Sequence, residues 1–381
     1  MRSLTLTLLT LLSLSSFAQS PSGLSRDEAK SLSQEIYIAE LTTFADSFAQ
    51  ESEDCIFTNG EYRMPFWYSV LGDFAEGERP MYISMHGGGG TTAELNDQQW
   101  VNQARLYGEV DGIYFVPRAP TDSWNMWHQE YMEDFLLKAV VYGVAKLGAD
   151  PSRIYLTGYS AGGDGTFNLA TRLSDRFAAA AMMAGHPGDA VAENLRNLPF
   201  AIYMGGLDDA YNRNGLAAEW GVTLDNLQSA DPKGYKHRVV IYEGKGHWMD
   251  NEDKEAIGWM AQFTRNTAVD KIVWVQDDVL AHRKYNLEVQ EPKVGANLTI
   301  TINKQTNSIN IEKSDYSSFK IWLNDEVLDL DKEVRVIYEG EVLFSGMVER
   351  TKENIEESIS GRYDRDYVFS GSITIKGTPK N

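Results

Sequence analysis

Residues 154–165 read Ile154-Tyr155-Leu156-Thr157-Gly158-Tyr159-Ser160-Ala161-Gly162-Gly163-Asp164-Gly165, an apolar run that leads into a Gly-Tyr-Ser-Ala-Gly turn. Helix-forming residues follow, so the stretch has the strand–turn–helix context in which G-x-S-x-G places a serine at the end of a strand. Gly158 and Gly162 flank Ser160 where the strand and helix backbones pass so close that a Cβ would clash. The N–H groups at the start of the helix point to where an oxyanion would form. The sequence therefore predicts an outward-facing nucleophile at Ser160.

Continuous apolar runs on both sides of this stretch predict further buried strands. The runs cover 79–85, 113–117, 177–185, 198–204 and 237–242. Helical patterns separate them, at 24–50, around Leu136–Leu147, at 213–229 and up to Thr264. Apolar strands that alternate with helices are typical of a mostly parallel sheet with helices on both faces. We therefore expect an α/β fold, in which ligands bind outside the carboxyl ends of the strands.

Three side chains suited to nucleophilic catalysis follow predicted strands, in the order Ser160, Asp208, His247. This chain order is the one expected of the α/β-hydrolase fold. In such a triad the serine attacks a carbonyl, the histidine takes its proton, and the carboxylate orients the imidazole. Asp208 is favoured as the acid because Gly205-x-x-Asp208 sets it on a tight turn. Asp209 remains an alternative acid, or else a helix N-cap or a partner of Arg213.

A glycine-rich loop, His86-Gly87-Gly88-Gly89-Gly90, follows the strand predicted at 79–85. Hydrolases keep the second half of the oxyanion hole in this position. Gly88 is the first candidate donor and Gly89 the second, with the N–H of Ala161 completing the pair. Such a donor typically stabilises the transition state by about 3–4 kcal/mol. A phosphate loop is disfavoured, since neither Gly-Lys-Ser/Thr nor a strand-adjacent G-x-G-x-x-G is present.

Aromatic residues and histidines in loops at the same sheet edge are candidate substrate contacts. Trp124 and Trp127, with Tyr131, are equally consistent with an aromatic wall for the substrate and with core packing. His128 and His186 are alternatively structural hydrogen-bonding residues. No H-E-x-x-H motif or Asp/His spacing indicates a metal site, so we expect neither a metal nor a cofactor.

The N-terminus and the overall charge bear on location and partners. One Arg, an apolar run from Leu4 to Leu14 and a small-x-small site at Ser16-Phe17-Ala18 predict a signal peptide over residues 1–18. We therefore expect a secreted or periplasmic protein with no membrane anchor, because no other apolar run is long enough to span a bilayer. The formal charge is −20, from 35 basic and 55 acidic residues. This balance argues against nucleic acid or an anionic membrane surface as a partner.

The sequence pattern changes at about residue 268. Apolar and polar residues alternate at 298–302, 319–323, 334–336 and 373–375, with turn residues between them and a short helix predicted at 352–360. Alternation of this kind predicts antiparallel β structure. We therefore predict a catalytic domain over residues 19–267 and a small β-sandwich-like domain of unassigned role over 268–381.

Residues 80–265 resemble secreted bacterial α/β-hydrolases of the esterase type. This group holds polyhydroxyalkanoate-depolymerase-like, feruloyl and acetylxylan esterases and dienelactone-hydrolase-like enzymes. The residues that carry the resemblance are His86–Gly90, Gly158–Gly163, Gly205–Asp208 and Gly246-His247. The resemblance implies a small-molecule or polysaccharide-linked ester as substrate, a covalent acyl-enzyme and no cofactor. The oligomeric state stays open.

Two other functions compete with this interpretation. Prolyl-oligopeptidase-like peptidases share a related catalytic domain and a glycine pair such as Gly162-Gly163. They usually carry an N-terminal propeller, for which the roughly 60 residues ahead of the first predicted sheet strand leave no room. In a carbohydrate- or surface-binding protein the β domain would be the functional part. Exposure of Tyr316, Trp322 or Tyr367 would favour that function, whereas burial would make them core residues.

Overall fold

The protein is described by a computed structural model that covers residues 23–377. The predicted signal peptide, residues 1–18, lies outside the described residues. No helix between residues 23 and 377 has the length and apolar character needed to cross a membrane. The helices of this part of the chain are α1 Arg26–Ser47, α2 Ala49–Glu53, α3 Ala93–Leu106, α4 Tyr131–Leu147, α5 Ala161–Arg172, α6 Arg213–Ala230, α7 Glu255–Met260 and α8 Lys352–Ile359.

Eight strands form one large sheet. They are β1 Ile56–Asn59, β2 Tyr62–Leu71, β3 Arg79–Met85, β4 Gly112–Pro117, β5 Ala149–Tyr159, β6 Ala179–Met183, β7 Phe200–Gly205 and β8 His237–Tyr242. The strand order is β1-β2-β4-β3-β5-β6-β7-β8. The six strands from β4 to β8 in this order are parallel, whereas β2 pairs antiparallel with β4 and with β1. This is the α/β-hydrolase fold, as predicted.

Both faces of this sheet are covered, because its central strands are apolar throughout. In β3, Met81 and Ile83 point into the core shared with α4 and α5. The intervening Tyr82 belongs to the core on the opposite face, which includes Trp259 of α7. Side chains that alternate between two cores explain why β3 reads as a continuous apolar run. The carboxyl ends of the parallel strands are left at one edge of the sheet, where the functional site lies.

Two helices differ from the prediction. Helix α3 was not predicted, because its sequence AELNDQQWVNQARL is mostly polar and gives no clear apolar period. It begins at an N-cap, Thr92, whose hydroxyl accepts a hydrogen bond from the N–H of Leu95. Helix α7 ends at Met260, earlier than the expected end at Thr264. The other helices begin and end within a few residues of the predicted positions.

The C-terminal part contains two smaller sheets. Its strands are β9 Lys271–Val275, β10 Arg283–Lys284, β11 Leu287–Glu288, β12 Asn297–Asn303, β13 Ser308–Ser314, β14 Ser318–Leu323, β15 Val334–Tyr338, β16 Glu341–Gly346 and β17 Gly371–Lys376. The sheet orders are β10-β11-β14-β17 and β16-β15-β13-β12-β9. All pairs are antiparallel, as predicted, except β13 with β15, which run parallel. The boundary at residue 268 stays a prediction.

Buried polar contacts join the C-terminal part to the end of α5. The guanidinium of Arg172 donates to Asp277 at 2.8 Å, and that of Arg362 donates to Asp175 at 2.6 Å. The ammonium of Lys284 donates to the carbonyl oxygen of Thr171 at 2.6 Å. Burial lowers the pKa of Lys284 to about 8. A cation at the C-terminal end of a helix interacts favourably with the helix dipole. The C-terminal part therefore stabilises α5, the helix that follows Ser160.

Candidate active site

Ser160 lies on the turn between β5 and α5 with φ of 56°, a left-handed conformation that is rare for residues other than glycine. The turn is this tight because both flanking glycines touch neighbouring backbone. A Cβ on Gly158 would overlap the carbonyl group of Gly162, and a Cβ on Gly162 would overlap that of Met85. The sequence therefore gives a strained turn that holds the Ser160 side chain outward.

Ser160, His247 and Asp208 come together at the carboxyl edge of the sheet, from the ends of β5, β8 and β7. The Nε2 atom of His247 lies 3.0 Å from the hydroxyl oxygen of Ser160. Its Nδ1 atom lies 2.6 Å from Oδ2 of Asp208. Asp208 is buried, and its other oxygen lies 3.7 Å from the guanidinium of Arg213. This is the arrangement of a nucleophile, a base and an orienting acid; the exposed neighbour Asp209 makes no such contact.

Tyr159 positions the loop that carries His247. Its hydroxyl donates to the carbonyl oxygen of His247 at 2.8 Å and accepts from the N–H of Met249 at 3.3 Å. Burial raises the pKa of Tyr159, so the phenol stays protonated and keeps its donor. This role of Tyr159 cannot be predicted from the sequence, because the second residue of a G-x-S-x-G turn is variable.

His86 is a structural residue rather than a proton carrier. It is fully buried, and the N–H of Ala119 donates to its Nε2 atom at 3.1 Å. Nδ1 must then carry the proton and donate to the carbonyl oxygen of Gly87, 2.6 Å away. Burial lowers the pKa of His86 to about 3, which keeps the ring neutral. The ring therefore fixes the direction of the peptide group that follows Gly87.

The amide of Gly89 is already engaged. It donates to Oδ1 of Asn96 at 2.8 Å, and the side-chain amide of Asn96 donates to Asp122 at 2.7 Å. The expectation that Gly89 donates to an oxyanion is therefore wrong, because its N–H already donates to a protein acceptor. Asn96 was missed in the sequence, because a single buried amide on a polar helix leaves no pattern to find. It anchors the glycine loop to α3.

Two backbone donors remain for an oxyanion. Within residues 23–377, the N–H groups of Gly88 and Ala161 donate to no other group. Gly87 brings this loop to the nucleophile: a Cβ placed on it would lie 3.1 Å from Cβ of Ser160. Gly88 and Ala161 are thus the pair that can stabilise negative charge on a carbonyl oxygen bound beside Ser160.

A cleft of about 680 Å³ opens over Ser160 and His247. We call it the serine cleft. It is lined by Gly87 and Gly88, by Gln99 and Arg105 of α3, and by the half-exposed ring of Trp248. Mixed apolar and polar walls next to a nucleophile suit a small organic substrate.

The predicted substrate contacts divide between core and surface. Trp127 is fully buried, and its indole N–H donates to the carbonyl oxygen of His86 at 2.9 Å. The expectation that Trp127 touches substrate is therefore wrong; the ring supports the glycine loop from below. Trp124 and His128 line a second cavity, not the serine cleft. His186 lines neither, and its backbone N–H donates to Asp164 at 2.6 Å.

The aromatic residues proposed for the C-terminal part are core residues. Tyr316, Trp322 and Tyr367 are all buried in the core between its two sheets. Because they are buried, these three residues offer no binding surface and do not support a binding function of that part. In the same part, the carboxylates of Asp325, Asp329 and Asp331 converge on one another. Arg26 and Arg350 bind them, which gives an ion-pair cluster.

Comparisons with known proteins found distant similarities. No family model matches the chain. Among curated proteins, the chain is 25% identical over 189 residues to "Feruloyl esterase B" of Thermothelomyces thermophilus, covering 46% of this chain and 62% of that protein. The chain thus spans less than two thirds of that relative.

Solved structures with a related fold include a thermostable esterase, at 23% identity and a TM-score of 0.43, covering 55% of this chain and 62% of that one. Another is a ferulic acid esterase, at 16% identity and a TM-score of 0.41, covering 54% of this chain and 96% of that one. A third is S-formylglutathione hydrolase (FrmB) of Staphylococcus aureus, at 16% identity and a TM-score of 0.39, covering 52% and 90%.

Proposed function

We propose that this protein is a serine hydrolase that cleaves carboxylic esters through an acyl-enzyme. The observation that carries the proposal is the chain of contacts from the Ser160 hydroxyl through the His247 imidazole to the buried Asp208 carboxylate, at 3.0 and 2.6 Å. The similarity to a protein named as a feruloyl esterase supports an ester rather than another acyl compound as substrate.

The proposed reaction has two halves. Ser160 Oγ attacks the ester carbonyl carbon while His247 Nε2 takes the hydroxyl proton, and the tetrahedral oxyanion accepts hydrogen bonds from the N–H groups of Gly88 and Ala161. His247 then returns the proton to the leaving alcohol oxygen, which leaves the acyl group on Ser160. Water attacks this acyl-enzyme, with His247 again as base, and releases the carboxylic acid. Asp208 holds the imidazole in the tautomer that accepts at Nε2.

Replacing the nucleophile tests the proposal. Ser160→Ala should lower kcat for p-nitrophenyl acetate by a factor on the order of 10⁴–10⁶, because the covalent route is lost. A fluorophosphonate probe should label the wild type and not this variant. The matched control is Ser229→Ala, at an exposed serine on α6, which should keep full activity and labelling. Full activity of Ser160→Ala would refute the proposed nucleophile.

Substrate class needs a separate experiment. Simple aryl esters, acetylated and feruloylated glycans, and peptide amides should be compared at equal enzyme concentration. We expect turnover of esters and none of amides. Faster hydrolysis of peptide amides would replace the esterase proposal with a peptidase that uses the same three residues.

We also propose that the protein is exported. The support is the signal-peptide pattern over residues 1–18. Expression of the full chain in a bacterial host should yield a mature protein that begins at Gln19, as measured by intact mass. A mass that retains residues 1–18 would contradict export by this route.

A further inference from the structure

A second cavity, of about 960 Å³, is lined by the β1–β2 turn, by residues between 124 and 134, by Arg172 at the end of α5, and by the loops at Asp189 and Asp278. We call it the Trp124 groove. Trp124 is 69% exposed, the highest value among the nine tryptophans of the chain. Leaving so large an apolar ring in water forgoes the stabilisation that burial would give. An exposed aromatic ring at the rim of a cavity offers a flat apolar face on which a ligand can stack.

The charges of the groove exclude an anionic ligand. Five exposed carboxylates line it: Glu61, Glu130, Asp134, Asp189 and Asp278. Its cation, Arg172, is already paired with Asp277 and Asp278, at 2.8 and 2.7 Å. Burial lowers the pKa of His128, whose ring is therefore neutral near pH 7. A phosphate, a sulfate or an acidic glycan would meet repulsion without a free cation to offset it.

Polar groups without protein partners face the same space. Within residues 23–377, the side-chain amides of Asn125 and Gln129 form no hydrogen bond. The Nε2 atom of His128 is buried and also has no partner. Buried polar atoms are normally satisfied, so an unpaired one in a cavity wall is a position for a ligand donor or acceptor. The wall thus offers both donors and acceptors beside one flat ring.

We propose that the Trp124 groove binds a neutral oligosaccharide. A sugar ring has an apolar face that can lie on an indole and an edge of hydroxyl groups that donate and accept hydrogen bonds. The exposed ring of Trp124 matches the face, and the amides and carboxylates around it match the hydroxyl groups. Nothing in this proposal depends on hydrolysis at Ser160.

The glycine loop, residues 86–90, lies between Ser160 of the serine cleft and Trp124 of the groove. At one end of this loop Gly87 lies against Ser160. At the other end a Cβ placed on Gly90 would be 3.5 Å from Cβ of Trp124, and the N–H of Gly90 donates to Asp122 at 2.8 Å. Trp124 is therefore separated from the nucleophile by this one loop.

Calorimetric titration tests the proposal without any turnover. The probes are xylohexaose, cellohexaose and mannohexaose as neutral glycans, with hexagalacturonate as the anionic and a chitosan hexamer as the cationic comparison. We expect a neutral hexasaccharide to bind, with little change at high salt, because no charge pair is formed. Trp124→Ala should weaken this binding at least about tenfold. Trp67→Ala, at an exposed tryptophan on β2 outside both cavities, is the matched control.

The other outcomes overturn the proposal. Absence of neutral-glycan binding, or binding unchanged by Trp124→Ala, would remove the groove as a sugar site. Preference for the chitosan hexamer, weakened by salt, would show that the carboxylates act as a simple cation-binding patch. Both variants alter exposed rings, and equal melting temperatures would exclude misfolding as the cause of lost binding. The titration is also run in Ser160→Ala, so loss of esterase activity and loss of glycan binding are measured separately.

Discussion

The serine cleft and the Trp124 groove are built in different ways. In the cleft, Ser160, Asp208 and His247 lie on segments that follow parallel strands, and Ser160 is held on a left-handed turn at φ of 56°. The groove is formed by loops and turns from separate parts of the chain, among them the C-terminal part through Asp278. Chemistry at a sheet edge needs fixed backbone, whereas a binding surface needs only side chains brought to one place. We therefore expect substitutions at the two cavities to have different effects on turnover.

The largest effect is expected from the acid of the cleft. Asp208→Asn should lower kcat for p-nitrophenyl acetate by about 10⁴, because the amide no longer holds the imidazole in the productive tautomer. Asp209→Asn removes the same charge one residue away and should change kcat by less than about twofold. Steady-state assays of both variants decide which of the two aspartates is the acid. Equal losses in the two variants would contradict it.

An intermediate effect is expected from Asn96, which anchors the glycine loop. Asn96→Ala should lower kcat by roughly 10²-fold, because the freed glycine loop no longer aims the N–H of Gly88 at the oxyanion. KM should change little, since Asn96 does not line the cleft. Gln98→Ala, at an exposed position on the same helix that does not line the cleft, is the control. A rise in KM with unchanged kcat would mean that the loop serves binding alone.

The smallest effect on turnover is expected for a substitution of Glu133, in the first turn of α4. Burial raises the pKa of Glu133 to about 7, from an ordinary value of 4.5. Its folded-state pKa is raised, so its favourable contribution is complete below about pH 4.5 and is lost as pH rises through about 7. Glu133→Gln should therefore gain stability over the wild type as pH rises across this window, by on the order of 2–3 kcal/mol, with kcat unchanged.

Thermal melts between pH 4 and pH 8 measure this difference. Glu130→Gln removes a carboxylate at an exposed position one turn earlier and should follow the wild type at every pH. A constant offset between Glu133→Gln and the wild type would show that the carboxyl does not titrate in this range.

The fold and the centre of the cleft could be predicted because their signals are local. Continuous apolar strands reveal a two-sided parallel sheet, and the residues at their carboxyl ends must meet at one edge. Ser160, Asp208 and His247 were identified for this reason. The Gly-x-x-Asp turn also pointed to Asp208, the aspartate that the structure places beside His247.

Residues in loops and polar helices could not be assigned in this way. Trp124 and Trp127 lie three positions apart in one loop, yet one is exposed and the other fully buried. A loop has no period from which burial can be inferred, so the sequence could not separate them. Whether Gly89 or Gly88 offers a free N–H depends on Asn96, which is close only in the folded chain. Such assignments follow from tertiary contacts alone.

The ammonium of Lys284 on the last carbonyls of α5 has a consequence for dissecting the molecule. A chain shortened at residue 267 would lose this cation together with the guanidinium of Arg362. Asp175 and Arg172 would then lose the ion-pair partners that they have in the interior of the full chain. Uncompensated charges of this kind destabilise strongly. A chain truncated at this point is therefore expected to be unstable, and point substitutions are the sounder way to separate what each part contributes.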